Sequence, residues 1–138
     1  MKGAAEDILR ACSHVYDLFN SAYVELDSDT RSRIIEEIES MGIKGYRVLA
    51  LAFRNLETDE DLNAKDADGI YEIETKQEFI FIGLVGLEYS FDSGHICNTV
   101  VNCRDNGIKW RLVSGESRST ARAIAEKCGF IQPNDPDN

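Results

Sequence analysis

The sequence predicts a mixed α/β chain, and three observations carry that expectation. Apolar residues recur at helical spacing, as in Ile34, Ile35, Ile38 and Met41. Compact apolar runs lie between such stretches, notably Phe79 to Leu87, which suits a strand buried on both faces. From residue 78 onward the expected order is strand, helix, strand, helix, as in a parallel sheet covered by helices.

The elements follow in chain order. Ala4 to Cys12 sets Ala5, Ile8, Leu9 and Cys12 at helical spacing, with Glu6 and Asp7 in the first turn, where carboxylates suit the helix dipole. Val15 and Tyr16 start a brief extended piece, and Asp17 to Asn20 reads as a turn. A second helix is expected from Ser28 to Met41, capped by Ser28 or Asp29 and stopped at Gly42. Arg47 to Arg54 follows as a strand through Val48, Leu49, Leu51 and Phe53. Asn55 to Gln77 carries Glu57, Asp59, Glu60, Asp61, Asp66 and Asp68, and reads as a solvated acidic loop. It lacks the ligand spacing and closing glutamate of a calcium-binding loop. After the strand of Glu78 to Leu87 come a helix from His95 to Asn106 and a strand from Ile108 to Val113. A last helix runs from Ser117 or Arg118 to Cys128, with Ala121, Ile124, Ala125 and Cys128 on one face and Gly129 as its end. The tail from Pro133 to Asn138 has no apolar residue and is expected to fray, with disorder expected from residue 130 to 138. The change of pattern puts a domain boundary between Gln77 and Gly86, and no internal repeat is visible.

At 138 residues, the chain is long enough for one ordinary domain or two small lobes. Its 43 % hydrophobic content supplies a core. Fifteen Lys and Arg stand against 25 Asp and Glu, a formal charge of -10, so nucleic acid and anionic membranes are poor partners. The longest apolar run falls far short of the roughly 20 residues of a membrane-spanning helix. No basic start followed by an apolar stretch suggests a signal peptide, so a soluble intracellular chain is expected, without membrane insertion. Cys12, Cys97, Cys103 and Cys128 match no CxxC or zinc-ribbon spacing. Cys12 with His14 could begin a metal site, but reduced, mostly buried thiols account for the pattern more simply.

Five segments then match one family in order. Lys2-Gly3-Ala4-Ala5-Glu6 with Cys12 resembles the KGAxE…C segment of the nucleotide-binding domain of P-type ATPases. Gly45 to Ala52 resembles that domain's later arginine-bearing strand, and Phe81 to Gly86 the hinge strand that enters the phosphorylation domain. Cys103 to Lys109 resembles the helix-to-strand turn that follows. Ser114-Gly115-Glu116-Ser117, then Thr120 to Ala125 and Cys128-Gly129, resembles the TGDN…TAxAIAxxxGI segment. The wording is nearest the calcium-pumping branch and, within it, the autoinhibited, calmodulin-regulated pumps of plants. The resemblance implies a truncated nucleotide-binding lobe over residues 1–77, followed over 78–138 by part of a HAD-like, Rossmann-type phosphorylation lobe.

The family's chemistry needs more than these segments. Its DKTGT nucleophile and its GDGxND magnesium segment do not occur in this sequence. Without the first there is no acyl-phosphate, and without the second magnesium cannot neutralise the developing charge. The family's DPxR stretch is replaced by Tyr89-Ser90-Phe91-Asp92. By resemblance, Lys2 and Gly3 line the adenine pocket, Arg47 faces the phosphates, and Ser114, Gly115 and Glu116 contact phosphate. Glu116 stands where the family has a shorter aspartate, and positioning is sensitive to shifts on the order of 1 Å. Free amides at the helix start, Ser117 to Thr120, also suit a phosphate. As a solvated terminal lysine and a surface arginine, Lys2 and Arg47 would need no ligand at all.

Other candidates are weaker. Gly115-Glu116-Ser117-Arg118-Ser119 is not GxSxG, His14 and His95 lack an evident triad, and Trp110 reads as packing. The chain alone is therefore expected not to be an enzyme, to require no cofactor and to bind ATP and magnesium weakly if at all. Unpaired strand edges favour a protein partner, either a second copy or a full-length calcium pump. Three functions stay open: a catalytically dead interaction protein, a residual nucleotide-binding module, and an excised piece of an active pump. The expected place is the cytoplasm, or the membrane periphery through a pump partner.

Overall fold

The computed structural model describes residues 1–56, 61–72, 78–90 and 93–132. Among them the elements run β1 (Lys2–Ala4), α1 (Ala5–Arg10), β2 (Cys12–Asp17), β3 (Ala22–Glu25), α2 (Ser28–Ile43), β4 (Tyr46–Phe53), β5 (Phe79–Glu88), α3 (Ser93–Asp105) and α4 (Arg118–Lys127). The strands form one sheet in the order β1-β4-β5-β2-β3. β1 lies antiparallel to β4 with Lys2 opposite Leu51, β2 antiparallel to β3, and β2 parallel to β5 with Cys12 opposite Phe79. The chain divides into two compact units, Met1–Ile38 with Val48–Val85, and Glu39–Arg47 with Gly86–Asn138.

The first unit holds the main apolar core: Ile8 and Leu9 of α1, Cys12, Leu26, Ile38, Ala50 and Ala52 of β4, and Phe79 and Phe81 of β5. Each large side chain removed from water here contributes about 1.5–3 kcal/mol. Arg31 ties the end of α1 to α2. Its Nη1 donates to the Leu9 carbonyl at 2.7 Å and its Nη2 to the Cys12 carbonyl at 2.9 Å. The Cys12 thiol donates to the Ile8 carbonyl at 3.1 Å, and burial pushes its pKa up to about 11 against the opposing charge of Arg31.

The turn expected at Asp17 to Asn20 is present. Asp17 Oδ1 accepts from the Phe19 amide at 2.8 Å and the Asn20 amide at 3.2 Å. It leads into β3, which the sequence reading missed: Ala22-Tyr23-Val24-Glu25 is exposed throughout and carries no burial signal. Two helix ends also differ from expectation. The α2 cap is Asp27 rather than Ser28 or Asp29, since Asp27 Oδ1 accepts from the Thr30 amide at 2.7 Å. Gly42 does not stop α2. The stop is Gly45, which takes φ +83° and donates its amide to the Gly42 carbonyl.

β5 is buried on both faces only in part. Phe79, Ile80 and Phe81, the residues laddered to β2, are buried, whereas Ile82, Val85 and Leu87 are 44, 40 and 45 % exposed. The strand expected at Ile108 to Val113 does not form. None of the five strands of the sheet pairs with this segment. These residues run as irregular chain, and Ile108 and Val113 are 57 and 92 % exposed. The order of the second half is therefore strand, helix, helix. Within the acidic loop, Glu57, Asp59 and Glu60 lie outside the described residues, as do residues 73–77, Phe91, Asp92 and the 133–138 tail.

In the second unit, α4 begins on Ser117, whose Oγ accepts from the Thr120 amide, and ends at Gly129, which takes φ +75° as anticipated. Thr120 is 2 % exposed, and its hydroxyl donates to the Tyr46 carbonyl at 3.1 Å. Trp110 packs edge-to-face on Phe130 with ring centroids 4.8 Å apart, so it serves packing as expected, although from a loop.

Candidate functional site

The residues expected to meet phosphate are gathered in the second unit. Arg47 enters at the start of β4, and Ser114, Gly115 and Glu116 lie on the segment leading to the Ser117 cap. The Ser114 hydroxyl accepts from the Glu116 amide at 3.1 Å, which folds the short segment back on itself. This turn leaves the Glu116 side chain only 20 % exposed. Arg47 Nη1 stands 3.8 Å from Glu116 Oε1. The Tyr89 hydroxyl donates to the same oxygen at 2.6 Å. Gly115 has open space where a side chain would project.

One carboxylate oxygen thus serves both a guanidinium and a phenol. The hydrogen bond to Glu116 raises the Tyr89 pKa above its ordinary value, with a small contribution from burial, while Arg47 works the other way. Arg47 is 52 % exposed and its ion pair is long, so the pair adds little to stability. Its chemical consequence matters more. The cation that would face a phosphate is balanced by an anion of the chain itself, and a phosphate approaching Ser114 would meet the Glu116 carboxylate.

Lys2 and Gly3 do not join this cluster. They belong to the first unit, paired with Leu51 and Ala50 along β1 and β4. Lys2 is exposed, and a side chain at Gly3 would touch Ile8 Cδ1 at 3.4 Å. The start of α4 borders a cavity of about 500 Å³ lined by Ser117, Arg118, Ser119 and Arg122, with Glu39 and Glu126 beside them. Arg122 is paired with Glu126 at 3.1 Å, and Ser117 already serves as the cap, so this helix start is partly self-satisfied. Cys12 is buried and His14 exposed, with Nδ1 against Ser13 Oγ at 2.9 Å. Among the described residues no group of three or more His, Cys, Asp or Glu is placed to hold a metal ion. None of their helices is long and apolar enough to cross a membrane.

Arg47, Ser114 and Glu116 were expected here from the resemblance, and the Tyr89 hydroxyl that meets Glu116 was not. The available signal was the substitution itself: a tyrosine stands where the resembling family places the first aspartate of DPxR.

Comparison with known proteins places the chain in a family. The family model described as "P-type ATPase, cytoplasmic domain N" matches residues 1–91. "Calcium-transporting ATPase 10, plasma membrane-type" of Arabidopsis thaliana is 32 % identical over 94 % of the chain. "Plasma membrane calcium-transporting ATPase 4" of Bos taurus is 34 % identical over 97 %. A "Calcium-transporting ATPase" of Plasmodium falciparum is 29 % identical over 99 %. The chain spans only 12, 10 and 11 % of the lengths of these three relatives.

Proposed function

The chain belongs to the family of the P-type ATPase cytoplasmic domain N, and on that premise we propose that it is a catalytically incomplete piece of the cytoplasmic head of a calcium-transporting ATPase, with a regulatory or protein-interaction role. In this reading residues 1–77 derive from the nucleotide-binding lobe and 78–138 from part of the HAD-like phosphorylation lobe.

The observation that carries the proposal is the Arg47–Glu116–Tyr89 arrangement. A site built to hold phosphate keeps its cation available, whereas here Arg47 is set against Glu116 and the same oxygen takes the Tyr89 hydroxyl. The sequence adds support, since neither DKTGT nor GDGxND occurs in these 138 residues. The catalytic half of the proposal is tested by incubating the purified chain with γ-labelled ATP and magnesium. No acid-stable label and no steady ATP turnover are expected, and sustained turnover free of contaminants overturns it. The interaction half is tested by light scattering at rising concentration and by binding to a purified full-length calcium-transporting ATPase. A strict monomer that binds no pump removes that role.

A residual ATP-binding module is the second reading. It is favoured by the half-exposed guanidinium of Arg47 and the Ser114 hydroxyl within one unit. A magnesium ion shared between Glu116 and a phosphate would relieve the repulsion there. Calorimetric titration with ATP and magnesium at millimolar concentration tests it. Heat that Arg47→Ala abolishes supports the module, and a silent titration discards it.

A further inference from the structure

Two cysteines on separate helices are brought together by the second unit. Cys97 is half-buried near the start of α3, and Cys128, 3 % exposed, follows the last residue of α4. The Cys97 thiol donates to the Lys127 carbonyl with sulfur and oxygen 3.4 Å apart. On the other side of Cys128, a Cβ placed on Gly129 would lie 3.7 Å from the Cys97 sulfur. That sulfur therefore rests against the backbone immediately before and immediately after Cys128. Disulfides form where the two Cα atoms stand about 4.4–6.8 Å apart, and contact with both residues that flank Cys128 sets the Cys97 sulfur beside that part of the backbone.

We propose that Cys97 and Cys128 form a reversible dithiol–disulfide pair that responds to a small disulfide oxidant such as glutathione disulfide. Cys97 is the accessible partner and reacts first. Its thiol gives a proton to water, and the thiolate attacks one sulfur of glutathione disulfide. The glutathione S–S bond breaks, and the departing glutathione thiolate takes up a proton. The Cys128 thiol then loses its proton, and its sulfur attacks the Cys97 sulfur of the mixed disulfide, expelling the second glutathione. In sum, two protein thiols lose two electrons and two protons, and one glutathione disulfide is reduced to two glutathione thiols. Burial raises the Cys128 pKa, and the nearby Cys97 adds to the shift. The product bond ties the start of α3 to the end of α4.

The other thiols are distinct in setting. Cys12 is buried in the first unit, and Cys103 lines an apolar cavity of about 180 Å³ with Val100, Trp110 and Phe130. The test treats the native chain with glutathione disulfide at neutral pH and quenches it with acid. Remaining thiols are alkylated in denaturant and tryptic peptides are mapped by mass spectrometry. A Cys103→Ser background leaves Cys97 as the sole thiol of peptide 77–104, with Cys128 in peptide 128–138. Tandem fragmentation between Cys97 and Cys103 gives the same reading in the unmutated chain. The expected product links those two peptides, is reversed by dithiothreitol and leaves Cys12 alkylated. In Cys97→Ala, Cys128 is expected to stay alkylatable. The proposal is overturned if oxidation halts at a glutathione adduct on Cys97, or if Cys128 is oxidised equally well without Cys97.

Discussion

Replacing Thr120 by valine tests how α4 is held in the second unit. The side chain is 2 % exposed, and its hydroxyl both accepts from Ser117 Oγ at 3.0 Å and donates to the Tyr46 carbonyl at 3.1 Å. Valine keeps the shape and removes the hydrogen bonds. Withdrawing a donor from this half-buried acceptor costs up to about 1–3 kcal/mol. The added methyl returns up to about 0.8 kcal/mol of apolar burial. Ser117 is exposed and regains a partner in water. With the methyl counted in full the net loss is about 0.2–2.2 kcal/mol, a fall of roughly 0.1–1.1 M in the urea midpoint at about 2 kcal/mol per M. Trp110 is the lone tryptophan and sits in the same unit, so its fluorescence follows the relevant transition. Ser117→Ala removes the cap and touches the same hydroxyl, so the two changes should be non-additive by about 0.5 kcal/mol or more. A midpoint unchanged by Thr120→Val, with strict additivity in the double mutant, would refute the reasoning.

Three further predictions rest on other contacts. Gly42→Ala gains about 0.5–1 kcal/mol of helix propensity but sets a Cβ 2.6 Å from Ser119 Oγ and 3.2 Å from Thr120 Oγ1, so overpacking of about 1–3 kcal/mol prevails and the urea midpoint falls. In a Ser119→Ala background the nearest oxygen is gone and the same change should be close to neutral. Hydrogen bonding by the Thr30 amide, then by its side chain, holds the Asp27 carboxyl below its usual pKa. Its contribution is therefore present above the unfolded value of about 3.9 and is lost as pH falls through the lower folded value. Asp27→Asn keeps a capping oxygen and should flatten that acid limb in urea midpoints measured across pH. Glu116→Gln should lower the Tyr89 pKa toward the ordinary value of about 10, seen as the ultraviolet titration difference against Tyr89→Phe. Because the folded value is raised, the stability linked to the protonated phenol is present below the unfolded value and is lost as pH rises through the folded one.

The sequence was most legible where a local signal and the tertiary demand coincide. Ile8 and Leu9 fall in the helix α1 where periodicity placed them, and α4 starts at Arg118, one of the two starts expected. The cap of α2 lies one residue before Ser28 and two before Asp29 because all three side chains offer similar oxygens, and only geometry chooses among them. Ile108, Trp110 and Leu112 alternate as in a strand, yet alternation states only that one face is apolar. It does not provide a neighbour, and no strand of the sheet pairs with this segment. β3 shows the converse, a strand made by its hairpin pairing with β2 and invisible to hydrophobic pattern. In the candidate site, the resemblance pointed to Arg47, Ser114 and Glu116 as an expectation, whereas the Tyr89 contact spans 27 positions and follows from no local spacing.

The path of the chain between the units sets a limit on dissection. It passes from one unit to the other at three places, after Ile38, after Arg47 and after Val85. No single cut yields either half intact. A truncation at Val85 would strand Glu39–Arg47, including the Tyr46 carbonyl that Thr120 reaches, and expression of 86–138 alone would leave that hydroxyl with no such acceptor. Isolating one half requires grafting a nine-residue segment across a new junction, so deletion mapping of this protein has to use point substitutions or permuted chains.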